Sequence, residues 1–354
     1  MASLTRNVVM HFAIVLLTTA IVWFAFRNSL DNAFVFDDHL AITNNHDVKD
    51  PDHHNIWTDD IWGKELSAHD SHKSFRPLLM VLFRKLWSMS SEARWFREVS
   101  LLAHIVASFV FYYLCDSIWN VPTISLGATA LFAAHPIHVE SVAAVVNMAE
   151  AFSSIFILAS YLLFLNSTKR KACISWFYMA FLIIFWIILV VIASLFKETG
   201  IAACLLVICK VIMDGVLFAY ALIRSVTHST STHLAFMRYI KRCKQQLLAN
   251  LSFLLTSILL LYVYMSFRTL MTSPHRSEIL SNPTDTTYNL FLKPIVEWQR
   301  ESYLDSSQLL RRAENPFAQL HGIEKTLSSM VMIFLRLFWK LVIFLNLYLY
   351  HVKQ

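Results

Sequence analysis

No glycine-rich phosphate loop, nucleophile elbow or zinc-protease motif occurs in this chain, which excludes the local signatures of nucleotide-binding, hydrolase and metalloprotease chemistry. Glycine is scarce, 5 residues in 354, and so is charge, at 15% against 56% hydrophobic. With a mean hydropathy of +0.52, a soluble fold would carry more apolar surface than one or two cores could hide. There is no solenoid repeat and no low-complexity tract. Cys115, Cys173, Cys204, Cys209 and Cys243 all lie in or beside apolar segments, and none falls in the long polar loop after the first apolar run. A disulfide framework is not expected, even for loops facing an oxidising lumen. No small-x-small cleavage site follows the run from Val8 to Phe26, so that run reads as a retained first span and not as a signal peptide.

What the chain does contain is a series of apolar runs, each near the length needed to cross about 30 Å of hydrocarbon as helix. They run continuously instead of alternating, which favours helices over barrel strands. Spans are expected at Val8 to Phe26, Val99 to Ser117, Val121 to Ala134, Phe152 to Leu165, Cys173 to Leu195, Ile201 to Phe218, Leu251 to Phe267 and Leu327 to Tyr350. This is an all-α membrane protein of about eight spans in one membrane domain over 1–354. The segment from Phe75 to Trp87 is amphipathic enough to lie along the interface. The net charge of +6 is split among short loops instead of lining one face, which speaks against nucleic acid. Positive-inside sorting explains it, with "STKRK" (Ser167 to Lys171) and the basic 219–250 loop, holding Arg224, Arg238, Lys241, Arg242 and Lys244, as cytosolic clusters. The N-terminus is then cytosolic, and 27–98 with its interfacial helices, 133–151, 196–200 and 268–326 are luminal. The sequons at Asn166 and Asn250 fall on or near the cytosolic face and are expected to be unused.

Four polar constellations fall on that luminal side. Asp37 and Asp38, in "FVFDDHLAITNNHDV", form an adjacent acid pair that suits a general base or a bound cation, and equally a solvated turn with an Asp cap. "SHKSFRPL" gathers His72, Lys73 and Arg76 ahead of Pro77, where cations meet phosphate oxygens at headgroup depth or anchor a surface helix on anionic lipid. "HPIHVES" sets His135, His138 and Glu140 between two spans. The spacing approaches a metal-ligand pattern, but Pro136 interrupts a regular helix and no third ligand follows, so hydrogen-bonded histidines are the better reading and no metal is assigned. Asn147 and Glu150 begin the next span, where polar groups usually face a cavity. Lys197 and Glu198, in "FKETG", mark a tight turn punctuated by Gly200, or else an intramembrane ion pair.

In this order, "FVFDDHLAITNNHDV", "DDIWG", "SHKSFRPL", "LFAAHPIHVESV", "NMAE" and "KETG" resemble the transmembrane and TPR repeat-containing protein family, well over about 30–215 and loosely beyond, with "ENPFA" (Glu314 to Ala318) similar to a later family segment. The resemblance implies a GT-C type glycosyltransferase bundle in the endoplasmic reticulum membrane. It further implies transfer of mannose from dolichyl phosphate mannose, a substrate and not a cofactor, to Ser or Thr of secretory-pathway proteins, cadherins among them. Under that resemblance Asp37 and Asp38 are catalytic, Arg76, Lys73 and His72 bind the donor phosphate, and His135, His138, Glu140, Glu150, Lys197 and Glu198 orient substrate. Basic side chains suffice for a lipid monophosphate leaving group, so no metal is called for.

Three departures bear on activity. The family continues into luminal TPR repeats, absent from 1–354, which supply partner surfaces. The family's arginine at the start of the fourth span is replaced within Asn147 to Glu150, and 268–326 is longer than its counterpart. A catalytically inactive scaffold of the same fold is therefore one alternative. A transporter is another, although no inverted pair of broken spans occurs.

Overall fold

The computed structural model describes residues 2–50, 55–68, 70–169, 175–227 and 231–272. The expected span at Leu327 to Tyr350, the Glu314 to Ala318 segment, residues 273–326 and the end of the "STKRK" run lie outside them.

Ten α-helices follow in order among the described residues: α1 (Ala2–Phe26), α2 (His46–Lys49), α3 (Pro77–Met89), α4 (Ala93–Trp119), α5 (Pro122–Ala134), α6 (Val139–Ala143), α7 (Met148–Lys169), α8 (Trp176–Phe196), α9 (Ala202–Thr227) and α10 (Ser231–Thr272). Five helices are long and apolar enough to cross a membrane, and the stretches Ala13–Ser29 and Pro122–Ala134 are shorter apolar helices. No strand occurs among the described residues. The chain is thus an all-α polytopic membrane protein, and each of the first seven expected spans falls on one of its helices. The residues expected as a basic loop, 219–250, are instead helical on either side of 228–230. Nothing from Ala219 to Asn250 is Gly or Pro, so nothing breaks the pattern.

Breaks occur where backbone chemistry demands them. Asn120 adopts a left-handed conformation (φ 53°) after α4, and Pro122 then starts α5 from a first-turn position whose missing N–H costs nothing. Between α8 and α9, the Lys197–Ile201 turn is tight enough that a Cβ on Gly200 would lie 2.2 Å from the Ala193 carbonyl carbon. Within the bundle, small residues let helices approach closely, as transmembrane packing requires. Ser153 of α7, for example, donates to the Ala193 carbonyl of α8 at 3.1 Å. Larger side chains, Trp186, Phe164 and Phe253 among them, fill the space where α7, α8 and α10 converge.

At one end of the bundle the described residues between Arg27 and Glu92 fold into a cap with its own core. Ala41, Ile42, Val48, Ile56 and Ile61 pack against Leu79, Met80, Phe83 and Leu86 of α3, Phe96 of α4 and the Val145–Ala149 stretch. The amphipathic helix expected to rest on the membrane surface accordingly turns its apolar face onto protein. A fully buried Leu or Phe contributes about 1.5–3 kcal/mol, so this core holds the cap to the bundle.

Candidate active site at the cap end of the bundle

The cap owes its shape to two buried polar side chains. Asn45 caps α2 through Asp47 N–H (2.9 Å) and donates to the carbonyls of Ala41 (3.1 Å) and Ile61 (2.9 Å). Asp60 accepts from the N–H groups of Trp62 (2.9 Å), Lys64 (3.1 Å) and His72 (3.0 Å) and from the Ser71 hydroxyl (2.6 Å). Gly63, at φ 76°, passes so close to Asn45 Oδ1 that a Cβ would sit 2.8 Å from it.

The two acids of the first motif are separated by environment. Asp38 is buried: one carboxylate oxygen accepts from Val35 N–H (3.2 Å), the other from Val146 N–H (3.0 Å), and the Arg97 guanidinium lies 3.9 Å away. Arg97, 2% exposed, also donates to the carbonyls of Asn32 (3.1 Å), Ala33 (2.6 Å) and Ala143. Together they lock the 32–38 strand of chain against the turn after α6. Asp37 is exposed beside them. The residue before it, Phe36, is 91% exposed and sits at φ 45°, a backbone region an aromatic side chain seldom adopts.

The basic cluster divides in the same way. Lys73 (φ 58°) caps the loop behind it, its ammonium donating to the carbonyls of Leu66 and Ala68, both at 2.7 Å. His72 is exposed, with its ring 5.9 Å from that of Trp62. Arg76 bonds Glu198 through Nε at 3.1 Å, which leaves its two Nη groups without a hydrogen-bond partner among the described residues. Arg268, at the end of α10, approaches the same carboxylate at 3.7 Å and donates to the Lys73 carbonyl at 2.9 Å. Two guanidinium groups thus share one acid.

Lys197 and Glu198 do not pair with each other. The residues form the tight turn between α8 and α9, and each charge finds its partner on another element: Lys197 with Glu150 of α7, Glu198 with Arg76 and Arg268. Beside this turn an open cavity of about 300 Å³ is lined by His104, Phe132, His138, Glu140, Asn147, Glu150 and Lys197, with Ser141 and Ser154. His138, Glu140, Glu150 and Lys197 of the expected substrate-orienting set therefore line one space. Glu198 lies one residue outside it, and His135 turns into its own backbone, its Nδ1 accepting from Ile137 N–H at 3.1 Å. The rings of His135 and His138 are 6.4 Å apart and nearly perpendicular, not converging as two ligands of one ion would. Burial, followed by the neighbouring His135, pushes the His138 pKa below the ordinary imidazole value.

The acid pair and the basic cluster are each tied to the cavity wall by one contact. Asp38 holds Val146, the residue before Asn147; Arg76 holds Glu198, the residue after Lys197. Three contributors escaped the sequence reading. Arg97 and His104 lie within an apolar helix where only their polarity marks them, and Arg268 follows a span end at which a positive charge reads as an ordinary flank.

The described residues thus form a polytopic helical bundle with a carboxylate, a guanidinium pair and a polar cavity gathered at one end, an arrangement that suits group transfer. Three curated relatives carry names that agree. The chain is 37% identical over 190 residues to Protein O-mannosyl-transferase TMTC3 of Homo sapiens, covering 53% of this chain and 20% of that protein. It is 34% identical over 224 residues to Protein O-mannosyl-transferase TMTC4 of Mus musculus, covering 57% and 30%. It is 32% identical over 190 residues to Protein O-mannosyl-transferase F38B6.6 of Caenorhabditis elegans, covering 52% and 26%. The resemblance to the transmembrane and TPR repeat-containing family is borne out by these relatives, of which the matched stretch is less than a third of the length. No family model and no solved structure matches the chain.

Proposed function

We propose that this chain transfers mannose from dolichyl phosphate mannose to Ser or Thr hydroxyls of secretory-pathway proteins, cadherin-like chains among them, at the luminal face of the endoplasmic reticulum membrane. The observation that carries the reading is the pair of contacts, Asp38 to Val146 and Arg76 to Glu198, that ties an acid and a basic cluster to the chain neighbours of two residues lining one cavity, Asn147 and Lys197. A lipid-borne sugar phosphate presents its reacting bond at headgroup depth, where both charge types are then available.

Asp38 has both oxygens occupied, so Asp37 is the general base. It takes the proton of the acceptor hydroxyl as that oxygen bonds to the anomeric carbon. The bond from that carbon to the phosphate oxygen breaks, the electron pair leaves with dolichyl phosphate, and the anomeric configuration inverts. The unpartnered Nη groups of Arg76 suit a bidentate hold on the departing phosphate. Arg268 adds a second positive charge, while Lys73 serves the loop.

Purified chain, labelled dolichyl phosphate mannose and an acceptor peptide test this. Transfer by the wild type, and a loss of about a hundredfold or more in Asp37→Asn, is expected. Equal signal in both would sink the assignment and leave a lipid-binding scaffold as the reading.

A further inference from the structure

We propose that the cavity between α4, α5, α6 and α7 is the seat of the donor's hexose ring, with His104 as a positioning residue and Glu140 and Asn147 as hydroxyl ligands. This rests on the mannosyl-transfer reading and adds to it where the sugar, as distinct from the phosphate, is held.

The lining selects against the alternatives one by one. Glu150 is neutralised by Lys197, which leaves Glu140 as the uncompensated charge among the lining residues. An anionic wall repels phosphate, so the phosphate belongs at Arg76 and Arg268 on the far side of the Lys197–Glu198 turn. A simple cation would want acceptors alone, yet the same wall offers donors as well: the Asn147 amide, the Ser154 hydroxyl and the His138 ring. Mixed donors and acceptors around an aromatic face are what the hydroxyls and C–H face of a pyranose require. Phe132 supplies the aromatic part of the wall, its ring stacked on Phe111 at 4.4 Å and lying 4.5 Å from His138 and 5.8 Å from His104.

The polar groups are held in advance. Asn147 Nδ2 donates to Glu140 Oε1 at 3.1 Å, which fixes one carboxylate oxygen and leaves the other for a ligand. Ser141 Oγ donates to the His138 carbonyl at 3.0 Å, so to a ligand it can offer only its lone pairs, as an acceptor. His104, 2% exposed, is fixed by its Nε2 to the Ala133 carbonyl at 3.1 Å, and its ring backs that of His138 at 4.8 Å. It therefore sets the angle of His138 without needing to touch the sugar itself. Burial disfavours the charged form of His138, and the neutral ring can present either a donor or an acceptor to a hydroxyl.

The experiment compares binding of a short-chain polyprenyl phosphate mannose with that of the same polyprenyl phosphate lacking the sugar, using the full chain in nanodiscs. Ser154→Trp, which fills the cavity, is expected to lower affinity for the sugar-bearing lipid by about tenfold or more while leaving the bare lipid phosphate unchanged. Glu140→Gln, which keeps the shape, guards against misfolding of the first variant and is expected to act in the same direction. His104→Phe should raise KM for the donor and shift its pH profile, whereas a purely structural loss would lower the amount of active protein without moving that profile. Unaltered preference for the sugar-bearing lipid in both cavity variants overturns the proposal while mannosyl transfer stands. A wild type that binds neither lipid defeats the transfer reading, and saturation-transfer NMR with methyl mannoside then judges the cavity alone: signal lost in Ser154→Trp supports it. Signal from tetramethylammonium and none from methyl mannoside overturns it in favour of a cation site.

Discussion

Two aspartates one residue apart are given opposite duties by what surrounds them. Asp38 is desolvated and spends its carboxylate on two backbone N–H groups with Arg97 nearby. Removing one member of such a buried pair strands the other, at a cost of about 3–5 kcal/mol. Asp38→Ala is therefore expected to lower thermal stability in detergent sharply, whereas Asp37→Asn should abolish transfer and leave the melting curve where it was. If the two variants melt alike, the division of labour fails. Arg76→Lys makes the companion case. A lysine there can still reach Glu198, but it cannot fork onto a phosphate, so turnover should fall by about ten- to a hundredfold with stability unchanged. At this scale the sequence disclosed the residue types and little about their duties. "DDIWG" and "SHKSFRPL" mark the site, yet Asp60, Gly63, Ser71 and Lys73 within them build the cap, because their partners are backbone atoms and side chains of the cap itself and leave no trace in residue spacing.

Among the elements, the reversal between α8 and α9 is the least forgiving. Its one glycine lies against the backbone of Ala193 and Ser194, neither of which can retreat. Gly200→Ala should force the turn open, lowering stability by about 1–3 kcal/mol and weakening the Arg76–Glu198 pair that the turn presents; unfolding curves and donor KM would both show it. The short turn after α5 contributes a pH response of its own. Unfolded, His138 titrates near the ordinary imidazole value of about 6.5, while in the fold its burial keeps it neutral to lower pH. Over that interval the unfolded chain binds more protons, so the contribution is complete above the ordinary value and is lost as pH falls. His138→Gln should flatten the acid side of the stability profile, and an unchanged slope would argue against the burial effect. The transmembrane helices were legible as apolar runs because the bilayer demands them. The function of α3 was not, because an amphipathic stripe looks the same whether lipid or protein covers it.

Among the described residues, the acid pair, the basic cluster and the polar cavity all lie at one end of the bundle. Single cysteines give the test. Asp31→Cys lies at the cap end, where its side chain is 79% exposed, and Asn120→Cys lies at the exposed junction of α4 and α5 at the other end. In sealed microsomes an impermeant thiol reagent should label Asn120→Cys directly and Asp31→Cys only after the membrane is opened. The reverse pattern would place the carboxylate base in the cytosol, away from its donor. Asn166 and Asn250, the sequon asparagines expected to stay unused, fall within α7 and α10, not in the surface loops where acceptor asparagines lie.

Arg97 carries a consequence for how the protein is made. Its guanidinium grips carbonyls at Asn32 and Ala33, which emerge from the ribosome before it, and at Ala143, which emerges only after α4 and α5 have followed. Synthesis runs from the N-terminus, and early segments meet their neighbours first. The cap therefore has no fixed seat until two more hydrophobic hairpin arms have been threaded through the bilayer, and its closure becomes a late checkpoint that reports the correct insertion of everything in between.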